Sequence, residues 1–314
     1  MKLPVFDLHC DTALALLGEN LRSCGSLKNN GGHIDLDRAR ELGGYAQCFA
    51  CFTTEPAEKI PAVELFEREL ATIHRELERN SDKIRQVYTV DEINENLNSG
   101  IMSAILTIEG PAGFGYDPEL LQDLYMVGFR MSTLGWNEKN VLTGSCQTGG
   151  GLTDLGRTYV KEAQRLGMVI DVSHISDEGF WDIMDVTQAP IVASHSNSRH
   201  MWDVPRNLTD SMFLEICKTG GVAGINLYAD FLGENATIDV VCDHIFHFME
   251  LDPTGKHIAL GGDLDGCERL PNAFNGIQDY PILADRLIER GLDEMTLRNI
   301  FWNNAVEVLK RCSI

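Results

Sequence analysis

The most restrictive feature of this chain is a rhythm. Short apolar runs, rich in β-branched residues, alternate eight times with turns and helical stretches. The runs fall at 3–11, 46–52, 102–108, 128–134, 168–172, 189–193, 221–227 and 257–261. Between them lie helical patterns at 35–42, 61–80, 90–99, 118–126, 153–166 and 210–219. A segment containing Asp243, His244 and His247 and a closing stretch at 296–311 complete the set. The 61–80 pattern places Leu65, Leu70, Ile73 and Leu77 at helical spacing. Thr89 followed by Glu92 has the spacing of a capping box at the start of 90–99. Strands that stay apolar, instead of alternating, are buried on both faces. Strand–helix alternation demands right-handed crossovers and a parallel sheet. Eight such units in 314 residues predict a single (β/α)8 barrel domain over 1–314. An open doubly wound sheet would carry a ligand fingerprint after one strand, and no GxGxxG follows the first run.

The chemically capable residues are distributed in one way. His9 and Asp11 close the first run, Glu109 the third, His174 the fifth, His195 the sixth and Asp263 the eighth. A barrel gathers those C-terminal ends at one mouth, where active sites are built. His9 and Asp11, two apart on a strand, are expected to share a face. Singly, each residue has a plain structural explanation, such as a capped helix start at Ser173-His174 or Ser194-His195. Jointly, six placements in strands of Val, Ile, Leu and Ala are hard to ascribe to packing. Three imidazoles with several carboxylates exceed the three protein ligands usual for one catalytic zinc. They suit a metal pair about 3.5–4 Å apart. Glu109, with two oxygens, is the natural bridge. His9 and Asp11 complete one metal, His174 and His195 the other, and Asp263 is left to accept a proton from the bridging water. His33, His74, His200, His244, His247 and His257 are expected in surface or structural roles.

Composition narrows the partners. The net charge is −21 and the pI about 4.7. That argues against nucleic acid, which needs a basic footprint, and against anionic membrane surfaces. No apolar run approaches a membrane span. Nine scattered cysteines predict a reducing, cytoplasmic setting with free thiols. Cys48 and Cys51 are expected as strand residues.

The segments FDLHCDT (6–12), TIEG (107–110), GLTDLGRTYVKEAQRLGMVIDVSH (151–174), SHSN (194–197), VPRN (204–207), GGVAGINLY (220–228) and GGDLDG (261–266) carry a resemblance. Together, in this order, they resemble the zinc dipeptidase family typified by renal (membrane) dipeptidase, within the amidohydrolase superfamily. The resemblance implies two Zn2+ per chain, bridged by Glu109 and a water or hydroxide that attacks the amide bond of a dipeptide. The substrates it implies are small dipeptides, including those with a D-residue at the C-terminal side. By motif position His9, Asp11 and Glu109 go to one zinc, and His174 and His195 to the other. Arg206 matches the arginine that holds the substrate carboxylate, Tyr228, which closes a matching segment, is expected at the substrate, and Asp263 matches the acid/base, with Asp265 the alternative. One departure is visible. Where the family often reads T-L-T-H after the fourth strand, this chain reads Thr133-Leu134-Gly135-Trp136-Asn137, so Trp136 stands in the place of a substrate-contacting His. Indole donates one hydrogen bond but cannot act as an imidazole acid or base. Alternatives are hydrolysis of another amide, lactam or ester, or a catalytically impaired zinc-binding homologue. A homodimer is compatible with all of these.

Overall fold

The computed structural model describes residues 2–18, 25–55 and 60–312; Cys24, one of the nine thiols, lies outside them. Among the described residues, nine parallel strands are present: β1 (Val5–Cys10), β2 (Tyr45–Phe52), β3 (Ile84–Gln86), β4 (Met102–Glu109), β5 (Phe129–Thr133), β6 (Val169–Asp171), β7 (Ile191–Ala193), β8 (Val222–Ile225) and β9 (Ile258–Leu260). Their order is β2-β1-β9-β8-β7-β6-β5-β4-β3, and β2 also pairs with β4. That pairing closes an eight-stranded barrel. Strand β3 is the addition that the sequence reading lacked. It pairs with Met102–Ala104 at the start of β4, while β5 takes over from Leu106 onward. Three residues bounded by helices carry too little periodicity to announce a strand.

Each of the eight barrel strands sends residues into one apolar cluster: Phe6 and Leu8, Ala46 and Cys48, Ile105, Met131, Val169, Val192, Val222 and Ala259. The same cluster includes Val90, Ile93, Trp302, Ala305, Val308 and Leu309, so the helices Val90–Asn98 and Asn304–Arg311 close the floor of the barrel. The Trp302 ring lies 5.6 Å from that of Phe6. Outward-facing strand residues join the larger layer under the surrounding helices. Cys48 and Cys51 sit in β2 on opposite sides, in the inner and outer layers respectively. The capping box at Thr89 and Glu92 is formed as its spacing predicts. The closing helix is interrupted: Glu294–Arg298 and Asn304–Arg311 flank a π-helical turn at Asn299–Asn303 that carries Trp302.

Apolar residues thus fill the lower barrel and force the polar ones to the upper rim. Burying this inner layer contributes about 25 cal/mol per Å2 of apolar surface removed from water. The rim has no such source of stability and depends on hydrogen bonds among its polar groups.

Candidate metal centre

His9, Asp11, Glu109, His174, His195 and Asp263 meet at the C-terminal rim, and all six are buried. How they get there differs from simple strand alternation. The β1 register shifts between Asp7 and Cys10. Leu8 belongs to the inner layer and Cys10 to the outer. The bulge turns the chain so that His9 and Asp11 face the rim together, a usual purpose of such irregularities. Glu109 is the last residue of β4. The other three lie just past strand ends, and two of them are in the left-handed region, His174 at φ 69° and Asp263 at φ 55°. For residues with a Cβ that conformation costs of order 1–3 kcal/mol and clusters at functional sites. Beneath them, a Cβ at Gly224 or Gly261 would strike the Ser194 carbonyl, so these glycines let the segment before His195 pass close.

The distances assemble overlapping ligand groups. His9 Nε2 is 3.4 Å from Asp11 Oδ2 and 3.3 Å from Glu109 Oε2. Glu109 Oε1 is 2.9 Å from His174 Nε2 and 3.7 Å from His195 Nε2. The two oxygens of Glu109 therefore face two different ligand sets. Asp263 Oδ1 lies 3.9 Å from His9 Nε2, and its Oδ2 accepts from Asn226 Nδ2 at 3.1 Å.

Neighbouring groups fix the tautomers, as is usual around metal ligands. The Ser194 hydroxyl donates to Asp171. Its oxygen therefore accepts from His195 Nδ1–H at 2.6 Å, which leaves Nε2 with a lone pair. Asn137 Oδ1 similarly accepts from His174 Nδ1–H at 3.0 Å. The two Nε2 atoms then face each other at 3.0 Å with no proton between them. His9 Nε2 and Asp11 Oδ1 are buried without a hydrogen-bond partner. The converging lone pairs of His174 and His195 and the buried carboxylates of Asp11 and Glu109 call for a cation, and the imidazole–carboxylate donor set suits zinc-class metals.

The electrostatics agree. Burial, then the charges of Arg206 and His9, hold His174 well below the ordinary imidazole value. Burial and His9, with Arg206 and His174, do the same for His195. Both are neutral, the form that binds metal. Burial pushes Glu109 up to about 8 against the pull of His9, and neighbouring Asp11 adds to the rise. Burial alone would depress His9; Glu109 and Asp11 overcome it and hold it well above its usual value. A positive ion is what this group of acids lacks.

Arg206, in the segment after β7, is buried beside the centre. Its Nη1 donates to Ser196 Oγ at 2.9 Å, its guanidinium lies 5.5 Å from the Phe231 ring centre, and its Nε and Nη2 have no partner. Trp136 is half-buried at the lip, 5.1 Å from Phe52 and 6.2 Å from His174 between ring centres. Tyr228 is half-buried and stands edge-on to Phe231 at 4.8 Å. Asp265 is drawn away: it accepts from His33 N–H at 2.5 Å and Thr12 Oγ1 at 2.8 Å, anchoring the 25–35 loop. His33 is thus structural, as expected. His244 and His247 are structural but buried, not at the surface. His244 accepts from Ser198 N–H at 3.1 Å and donates to the Leu232 carbonyl at 3.0 Å. The sequence reading did not single out Asn137, Asp171 or Asn226. An Asp in the apolar run of β6 was the one signal available.

Fold and site together define a (β/α)8 barrel whose rim fits a metal centre. The chain belongs to the membrane dipeptidase family, peptidase family M19, whose model matches residues 1–313. It is 37% identical to an uncharacterized dipeptidase of Schizosaccharomyces pombe over 216 residues, 67% of this chain and 53% of that protein. It is 28% identical to dipeptidase 3 of Mus musculus over 98% of this chain and 64% of that one. The matched part thus spans about half to two thirds of these relatives. A metallo peptidase of Rhodobacter sphaeroides, solved with a phosphinate mimic of L-Ala-D-Ala, superposes with TM-score 0.88 at 25% identity, covering 99% of this chain and all of that one. No described helix is long and apolar enough to cross a membrane.

Proposed function

We propose that this chain is a two-zinc dipeptidase, with His9, Asp11 and Glu109 holding one ion, Glu109, His174 and His195 the other, and Asp263 as the acid/base. The observation that carries the substrate class is Arg206. A buried guanidinium with two unpartnered N–H groups beside a metal-ready centre is suited to clamp a carboxylate in a two-point hydrogen bond. Fixing the C-terminal carboxylate beside the centre restricts substrates to short peptides.

When bound, the metal pair lowers the pKa of water and polarises the amide carbonyl. The chain's own residues handle the protons and the positioning. Asn226 holds one oxygen of Asp263 and leaves the other on the His9 side. That oxygen takes a proton from the attacking water and returns it to the leaving amine. The Ser196 contact and the Phe231 face orient Arg206. Tyr228 and Trp136 line the substrate side, where Trp136 supplies bulk and a single donor. A C-terminal D-residue is among the substrates, a reading supported by the mimic of L-Ala-D-Ala bound by the Rhodobacter sphaeroides metallo peptidase. The free thiols among the described residues support a reducing compartment such as the cytoplasm.

The test is hydrolysis of a dipeptide panel, including C-terminal D-residues, set against lactones and N-acyl amino acids. Chelation is expected to abolish dipeptide cleavage and zinc to restore it. Cleavage of lactones or N-acyl amino acids with no dipeptide cleaved would overturn the substrate reading.

A further inference from the structure

A separate set of metal-ligand side chains lies at the opposite end of the barrel. Cys217 is in the last turn of the helix Asp210–Thr219, Asp252 caps the C-terminus of the helix Ile238–Leu251, and His257 immediately precedes β9. One ligand atom from each, a sulfur, an oxygen and a nitrogen, lies within 4.8 Å of the other two. All three residues are half-buried and reachable from solvent.

Two further observations point to a ligand. His257 Nδ1 is 2.7 Å from the Gly221 carbonyl. A carbonyl only accepts, so Nδ1 carries the proton and Nε2 presents a lone pair, the arrangement usual for a metal-binding imidazole. Asp252 Oδ1 accepts from the Thr254 N–H and hydroxyl, at 3.1 and 2.6 Å. Its Oδ2 is buried with no partner at all. A carboxylate oxygen shut off from water without a donor is costly.

We propose that Cys217, Asp252 and His257 form a second site for a zinc-class divalent cation. Thiolate, imidazole and carboxylate are the donors such an ion takes, with water completing a tetrahedral set. Bonds of about 2.0–2.3 Å require only that the side chains rotate inward. Burial, with Asp252 adding, pushes the Cys217 thiol up to about 12 when no cation is present; a bound cation displaces that proton. The ion would tie two helices to the start of β9. The cluster His200, Asp210 and His247 differs, because its needs are already met. His247 Nε2 bonds Asp210 Oδ1 at 2.9 Å and its ring stacks on His200 at 4.4 Å.

Among the described residues, the ligand groups at the rim hold only nitrogen and oxygen donors, which makes sulfur ligation a private signature. The full chain is titrated with Co2+ and its near-ultraviolet thiolate-to-cobalt charge-transfer band recorded. The wild type is expected to show the band. Cys217→Ser is expected to lose it together with one bound equivalent, while keeping its far-ultraviolet circular dichroism and its peptide hydrolysis. His257→Gln, which leaves the thiol in place but removes a ligand, is expected to weaken the band's cobalt affinity by more than the roughly 100-fold lost when a partner behind a ligand is removed. No band at saturating cobalt in the wild type, or a band that survives in Cys217→Ser, overturns the site. Neither result bears on the rim chemistry.

Discussion

The same eight strands end in two unlike places. At the floor, Phe6, Val90, Ile93 and Trp302 pack as an apolar plug. At the rim, six buried imidazoles and carboxylates converge with lone pairs unmatched. The floor contributes stability and no chemistry. The rim costs stability, through left-handed His174 and Asp263 and crowded buried acids, and provides the chemistry. Strain at a site persists only where the surrounding structure over-determines it, and the plugged barrel is that structure.

Separating the two ends by mutation tests the contrast. The largest effect is expected at the rim: Asp263→Asn should lower kcat by about 10²–10⁴-fold with bound metal retained and melting unchanged. Metal content with single-turnover rates measures this, and a fully active variant refutes the acid/base assignment. At the floor, Trp302→Ala should cost about 3–5 kcal/mol of stability, read by denaturant unfolding, with kcat/KM of the folded fraction intact. An activity loss beyond the unfolded fraction would show that floor and rim are coupled. One layer behind the ligands, Asn137→Ala and Ser194→Ala should each weaken metal binding by about 10–100-fold, measured by competition with a chelator.

The smallest effect concerns Glu69, on the helix Ala62–Arg79. Its Oε2 accepts from Phe52 N–H at 2.6 Å and its Oε1 has no partner. Burial raises its pKa well above the ordinary value, so folding takes up a proton. The sign follows: the folded state binds more protons than the unfolded, and stability falls as pH rises above the unfolded carboxylate pKa. Glu69→Gln removes that titration. Melting curves of the metal-loaded protein should show a shallower decline with rising pH in the variant, and an equal decline in both would dismiss the assignment.

Much of this is legible in the sequence. Runs buried on both faces and separated by helices leave few topologies besides a closed parallel barrel. That closure sends His9, Glu109, His174, His195 and Asp263 to one rim, although Asp263 lies 254 positions beyond His9. Strand β3 was not readable, because three residues carry no period. The parity change between Leu8 and His9 was not readable either, because a bulge leaves no mark in a two-residue alternation. Asp263 and Asp265 look equivalent in GGDLDG, and only the fold turns one toward His9 and the other toward His33 and Thr12.

What the amino-acid order determined by itself was the architecture and the inventory of rim residues, since apolar periodicity and strand-end placement are local properties. What only the folded chain decided was orientation. Tautomers, unmatched lone pairs and the free face of Arg206 depend on partners distant in sequence, such as Asn137 for His174 and Ser196 for Arg206, and on which donors they have already satisfied. Hydrogen-bond satisfaction is a property of the whole assembly, and no stretch of sequence contains it.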